Sequence, residues 1–366
     1  MKIQAAVLTE AHQPFAIETV ELAPIQADEV LVRMIAVGIC HTDIAVQERS
    51  MPLPLPAVVG HEGAGVVEQV GAQVTAVQVG DHVLISMAYC GACTNCSRKH
   101  VMYCDHLLKH NYIGRRLDGT STHQLNGQPI TGNFFGQSSF ATHAVARARA
   151  VVKVDNALPL ACLTPLSCGI QTGMGTVLRS LQAQPGSSMV IYGAGTVGMS
   201  AVVAAALRQC RPLVVVEPLT ERRALARELG ATHVLDPSRT NLPSKLRELA
   251  PRGMDYAVDT TGVLSVLHGA MGALANRGTL ALLGVPNDPA ATIQLPLLHA
   301  ISKGITVKAI LEGDSYPPEF IPELVGLYKA GKLPLERFIR TYAFEQINEA
   351  IHDQLRGKVL KPVLVF

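Results

Sequence analysis

Ser188-Met-Val-Ile-Tyr192-Gly193-Ala-Gly195-Thr196-Val197-Gly198 carries two signals in eleven residues. The apolar run after Ser188 predicts a short strand buried on both faces, as in a parallel sheet. Three glycines at the spacing Gly-x-Gly-x-x-Gly then open a helical run from Met199 to Leu207. Glycines in such a turn let the backbone approach a pyrophosphate closely, and the helix N-terminus offers it free amides and a positive dipole end. The next apolar run, Leu213-Val-Val-Val216, ends on Glu217, nineteen positions after Gly198, where an acidic side chain accepts ribose hydroxyls. Gly193, Gly195, Thr196, Val197, Gly198 and Glu217 are therefore candidate dinucleotide contacts. The plainer alternative is a tight turn with Glu217 as a solvated strand end. A carboxylate repels a 2′-phosphate, so NAD is expected over NADP, with Arg222 and Arg223 close enough to leave some NADP use open.

Downstream, short apolar runs alternate with amphipathic helices, the pattern of a doubly wound parallel α/β sheet. Thr220 reads as the cap of a helix that Gly230 ends, and His233–Asp236, Tyr256–Asp259, Thr279–Gly284 and Thr306–Ile310 bring the strands to about six. Upstream, from Met1 to about Arg149, the text is mostly β, with strands at Val30–Val37, Gly65–Val70 and His82–Ile85. Gly80-Asp81 reads as a hairpin turn between Val74–Val79 and His82–Ile85. After Ile310 the chain is expected to return to this first domain through helices at Phe320–Ala330 and Phe344–Leu355 and a strand at Pro362–Phe366.

The length suits two domains, each with its own core. Lys+Arg 31 against Asp+Glu 29 gives a net charge of +2, which argues against a polyanionic partner or a membrane surface and for a small molecule. No apolar run reaches the ~18 residues of a membrane span, and the N-terminal run is broken early by charge, so a soluble, unexported protein is expected. Eight cysteines grouped at ligand-like spacing fit a reducing compartment, and the cytoplasm is the expected location.

Cys90, Cys93, Cys96 and Cys104 are separated by three, three and eight positions, a set that closes around one tetrahedral ion and leaves no position open. That is the pattern of a structural zinc site, the alternative being a disulfide cluster. A zinc-ribbon nucleic-acid binder would need a basic cluster, and only Arg98, Lys99 and His100 stand near. A second group, Cys40-His41-Thr42-Asp43, His61-Glu62 and Cys168-Gly169, contains two thiols and an imidazole that could give zinc an open position, although each alone could be an ordinary buried residue.

Cys40-x-Thr42-Asp43, Gly60-His61-Glu62-Gly-Ala-Gly65, Gly80-Asp81-His82-Val83, the Cys90 lobe, Cys168-Gly169 and Gly193 to Gly198 follow one another in the order of the zinc-dependent medium-chain alcohol dehydrogenases, which the chain resembles from about Ala5 to Phe366. Pro165 to Leu178 is similar to the aryl-alcohol (benzyl alcohol) and geraniol dehydrogenase branch. The resemblance implies a Rossmann domain, 169–310, set into a mostly-β GroES-like catalytic domain, 1–168 and 311–366, with the structural zinc lobe at 90–104. It implies two zinc ions per chain, the catalytic one on Cys40, His61 and Cys168 with Glu62 beside it as a neighbour or transient ligand. Asp43 would orient His61, Thr42 would take the alcohol proton and pass it to the nicotinamide ribose hydroxyl, and His41 and Lys361 would face the cofactor pyrophosphate. The implied reaction is reversible oxidation of a primary aryl or allylic alcohol to the aldehyde with NAD. Secondary-alcohol, polyol and glutathione-dependent formaldehyde dehydrogenases of the same family are the alternatives. A homodimer or homotetramer paired through the cofactor domains is implied, with Thr306–Ile310 as a candidate edge. Many relatives carry a relay histidine where this chain has Ala45; the aryl-alcohol branch commonly lacks it too.

Overall fold

The computed structural model describes residues 1–286 and 288–366. It divides into two compact units, Met1–Cys168 with Tyr316–Phe366, and Gly169–Ser315. The return crossing thus falls at Tyr316 rather than at residue 311. The reason is local: the Glu312 carboxylate accepts bonds from Gln171 Nε2 and Thr172 Oγ1, and Asp314 is held by Ser180 and Lys308. Residues 312–314 therefore stay with the second unit.

In the second unit six parallel strands, Met189–Tyr192, Leu213–Val216, His233–Leu235, Met254–Asp259, Leu274–Leu282 and Thr306–Ala309, lie in the spatial order third, second, first, fourth, fifth, sixth. This is the doubly wound Rossmann order, which reverses direction between the first and fourth strands and places ligands at their carboxyl ends. Helices cover both faces, so Leu213-Val-Val-Val216 is apolar at every position and wholly buried. Val190, Val214, Ala257 and Leu280 form the centre of the core. Thr220 turns out to be the first helical residue of Thr220–Glu228, with Leu219 in the capping position and no side-chain cap. The fifth strand also begins earlier than expected, at Leu274.

The first unit is built on a five-stranded and a seven-stranded sheet, both largely antiparallel. The long strand Glu29–Gly38 pairs with Glu62–Val70, with His143–Arg147 and with the C-terminal strand Lys361–Val365. Its register sets Gly38 opposite both Glu62 and Val363, so the ends of three strands far apart in sequence meet at one place. Met34, Val67, Val83 and Ile85 pack beneath. The hairpin expected at Gly80-Asp81 does not form. Residues 74–79 are irregular, and His82–Ile85 pairs instead with Glu62–Val70 and Val151–Val154, which bury its apolar side chains.

Candidate active site and metal centres

Cys40 follows the long strand and forms the N-cap of the helix His41–Gln47 in an extended conformation. Asp43, the third residue of that helix and fully buried, ties the corner together: Oδ2 accepts the Cys40 amide at 3.0 Å, and Oδ1 accepts the Gly60 amide at 3.0 Å and His61 Nδ1 at 2.9 Å. With Nδ1 bonded to the carboxylate, Nε2 is left to act as a ligand. Cys168 ends a short helical turn, Thr164–Ser167. One ligand atom from each of Cys40, His61, Glu62 and Cys168 lies within 4.8 Å of the others. The residues that sequence spacing alone could not bring together thus converge.

A zinc ion fits this set. His61 is 2% exposed, yet its Nε2 has no hydrogen-bond partner, and two sulfurs stand beside it. The Cys168 thiol next to Cys40 draws the Cys40 pKa well below its ordinary value, against burial and with help from the Lys361 charge, so Cys40 is prepared as a thiolate ligand. Thr42 places its hydroxyl 3.7 Å from Cys40 Sγ. The imidazole is also walled by aromatic rings, with Phe135 stacked at 4.6 Å and Phe134 edge-on at 5.9 Å. Phe135 holds a left-handed backbone, φ 50°, unusual for an aromatic residue. The following Gln137 braces it, donating to the carbonyls of His61 and Ile85 and accepting from the Gly63 amide. This wall was not read from the sequence, where a Phe-Phe pair before a glycine looks like any apolar stretch.

Lys361 requires a correction. Expected at the cofactor phosphates, it is 2% exposed, and its Nζ donates to Glu62 Oε1 and Oε2 at 2.8 and 2.9 Å and to the Ile39 carbonyl at 2.9 Å. All three N–H groups are so used, because the C-terminal strand lies beside Gly38 and carries Lys361 onto Glu62. Burial disfavours the ammonium more than any one neighbour favours it, but the Glu62 charge, the Cys40 and Cys168 sulfurs and the Glu62 hydrogen bond together outweigh burial and raise the lysine pKa. Gly38 is required here, since a Cβ would come within 2.1 Å of Glu62 Oε2. His41, by contrast, is an exposed first residue of its helix.

The second metal-type cluster is Cys90, Cys93, Cys96 and Cys104, with all four sulfurs within 4.8 Å of one another. Backbone amides point at them: Ala92 and Cys93 donate to Cys90 Sγ, Cys96 to Cys93 Sγ, and Cys90 and His106 to Cys104 Sγ. Against burial, those amides lower Cys90 to about 6, whereas burial and neighbouring sulfurs push Cys96 and Cys104 up. Four thiolates at this separation need a cation to coexist, and a four-sulfur cage with N–H···S support suits zinc. No disulfide links any of the eight cysteines.

In the second unit the glycine turn runs from the first strand into the helix Thr196–Leu207. A Cβ on Gly198 would strike the Gly193 carbonyl at 2.0 Å, so helix and strand pack this closely only with glycine there, while the space before Gly195 is open. Glu217, 3% exposed, leans on that turn and accepts the Ala194 and Leu219 amides at 2.8 and 3.0 Å. Arg223 is engaged by Asp236 and by the Glu217 and Pro218 carbonyls, whereas Arg222 is half-buried with no polar partner among the described residues. The structure thus gathers Gly193, Gly195, Thr196, Val197, Gly198 and Glu217 at one strand end. No helix among the described residues is long and apolar enough to cross a membrane.

Residues 26–156 match the alcohol dehydrogenase GroES-like domain, and residues 196–329 match the zinc-binding dehydrogenase domain. The chain is 44% identical to geraniol dehydrogenase of Castellaniella defragrans over 365 residues, 99% of this chain and 97% of that one. Among solved structures it resembles an alcohol dehydrogenase zinc-binding domain protein from Burkholderia ambifaria, at 42% identity and a TM-score of 0.97, covering 100% of this chain and 99% of that one. Benzyl alcohol dehydrogenase from Acinetobacter calcoaceticus gives 38% identity and the same TM-score of 0.97, with coverage of 100% and 99%.

Proposed function

The chain belongs to the zinc-dependent medium-chain alcohol dehydrogenase family, and from that premise we propose that it oxidises primary aryl or allylic alcohols reversibly to aldehydes with NAD. The observation that carries the reading is the convergence of Cys40, His61 and Cys168 around an imidazole nitrogen without a partner, the donor set known from alcohol dehydrogenases. Cys40, His61 and Cys168 would hold a zinc ion whose Lewis acidity would lower the pKa of an alcohol hydroxyl, and a bound NAD would supply the hydride acceptor. Thr42 accepts the alcohol proton at its Oγ1 as it releases its own hydroxyl proton to the nicotinamide ribose hydroxyl, so it relays rather than stores the proton. Asp43 fixes the His61 tautomer and ring direction. Lys361 compensates the Glu62 charge, so that the carboxylate can stand beside the metal ligands without an unpaired buried charge. Ala45, one turn beyond Thr42, carries no group that could pass the proton on.

Three features support the finer assignments. Relatives named geraniol and benzyl alcohol dehydrogenase, together with the aromatic wall of Phe134 and Phe135, favour an apolar, conjugated alcohol. Glu217 against the glycine turn favours NAD, because its carboxylate repels a 2′-phosphate. The four-sulfur lobe supports a second, structural zinc, and eight thiols without a disulfide favour the cytoplasm. The test is the initial rate of NADH formation with benzyl alcohol, geraniol, 2-propanol and sorbitol. The proposal expects kcat/KM for the first two to exceed the others by at least about tenfold. A preference for 2-propanol or sorbitol would move the enzyme to the secondary-alcohol or polyol branch.

A further inference from the structure

A small cleft in the first unit plays no part in the mechanism above. Its wall includes Lys109, His110, Arg115, Arg116 and Arg147, with Glu29 as the only acid among its lining residues. Glu29 is already taken, since both its oxygens accept from Arg116, at 2.9 and 2.7 Å. Arg147 has a looser partner in Asp28 at 3.5 Å. Lys109 and Arg115 have no acidic partner among the described residues. The lining thus holds two cations in excess after Asp28 is counted. Within it lies a polar group that folding leaves unanswered: His110 is 3% exposed, and its Nε2 has no hydrogen-bond partner. A buried polar atom left so is destabilising unless a ligand or water meets it.

We propose that this cleft is a binding site for a small oxyanion, a phosphate or carboxylate group, recognised by Lys109, Arg115 and Arg147 at the mouth and by His110 at the wall. The chemistry follows from the inventory of donors. Lysine and arginine give charge-assisted hydrogen bonds to oxygen anions, and a neutral imidazole can donate from Nε2 once the tautomer is set. Burial first, then the Arg147 charge, lowers His110 to about 4, so the ring is neutral near pH 7 and adds a directed N–H rather than further positive charge. The closed end admits about one water-sized group, so one oxygen enters and the remainder of the anion stays among the cations. A space that admits one such group is too small to enclose a whole nucleotide. Asn133 and Gly136 also line the cleft, and they flank Phe134 and Phe135, the two residues that wall His61, so the site adjoins the segment that supports the imidazole.

The experiment is calorimetric titration of the zinc-loaded protein with inorganic phosphate, and separately with acetate, each against sodium chloride at matched ionic strength. Saturable binding of phosphate or acetate at one site per chain, weakened by about tenfold or more in the Lys109→Ala/Arg115→Ala variant, is the expected result. Phosphate binding alone identifies a phosphoryl ligand, and acetate binding alone a carboxylate. Neither substituted side chain has an acidic partner among the described residues, and Arg115 makes only a long 3.5 Å bond to the Gly119 carbonyl, so the variant should keep wild-type alcohol turnover, which serves as the check on its folding. Heats no larger than those of chloride, or equal affinity in the variant, would overturn the proposal. Neither result bears on alcohol oxidation, which is measured separately.

Discussion

Lys361 and Glu62 are 2% and 0% exposed and make a double hydrogen-bonded ion pair, so neither can lose the other without leaving a charge in a dry site. Lys361→Met should therefore destabilise the protein by about 3–5 kcal/mol, read from urea unfolding. The double variant with Glu62→Gln should recover most of that loss, whereas additive losses would show that the pair is not coupled. Thr42→Ala removes the proposed proton acceptor and should lower kcat by about 10²–10⁴, with Thr42→Ser retaining most of it; equal rates in all three proteins would remove Thr42 from the mechanism. The candidate ligands were legible as residue types, because thiol and imidazole at such spacing suit a metal. Lys361 was not, because a lysine's partner depends on strand register, and 299 residues of chain separate it from Glu62.

The four-cysteine lobe is an element whose order rests on its sulfurs, since its helices are only four and three residues long, Thr94–Ser97 and Val101–Tyr103. Cys93→Ser should lower the melting temperature while zinc-replete protein retains turnover, and lost turnover at an unchanged melting temperature would mean that the roles of the two clusters are exchanged. The strand His123–Leu125 begins on a histidine with no exposure, whose pKa burial lowers to about 4. Unfolded, that ring titrates near 6.5, so as pH falls the unfolded chain binds the proton first. Its contribution, at most about 3 kcal/mol, is complete above about pH 6.5 and is lost as pH falls toward 4. His123→Gln should flatten the fall in stability between about pH 6.5 and 4, and an unchanged slope would assign it to other groups. Elements with strong periodicity were read well, such as the strand at Leu213 and the helix after Gly195. The hairpin at Gly80 was misread because local alternation does not reveal that His82–Ile85 has better partners elsewhere.

At the scale of the whole molecule, the doubly wound order and the return of the C-terminal segment were legible because strand-helix alternation begins near Pro159 and stops near Ile310. The crossing point was not, since it depends on hydrogen bonds from Glu312 and Asp314 that no pattern announces. The sixth strand, Thr306–Ala309, is an open edge, and the helix Leu297–Lys303 leaves Leu298 83% and Ile301 76% exposed. Surfaces of this kind mark association, so sedimentation should find at least a dimer, and Leu298→Glu/Ile301→Glu should shift it toward monomer. A wild-type monomer would discard that view of assembly. The central claim, that a catalytic metal is held by Cys40, His61 and Cys168 apart from a structural one, is tested most directly by counting zinc in purified wild-type and Cys168→Ala protein. Two ions per wild-type chain and one per folded, inactive variant chain are predicted; a variant that keeps both ions and its turnover would contradict the claim.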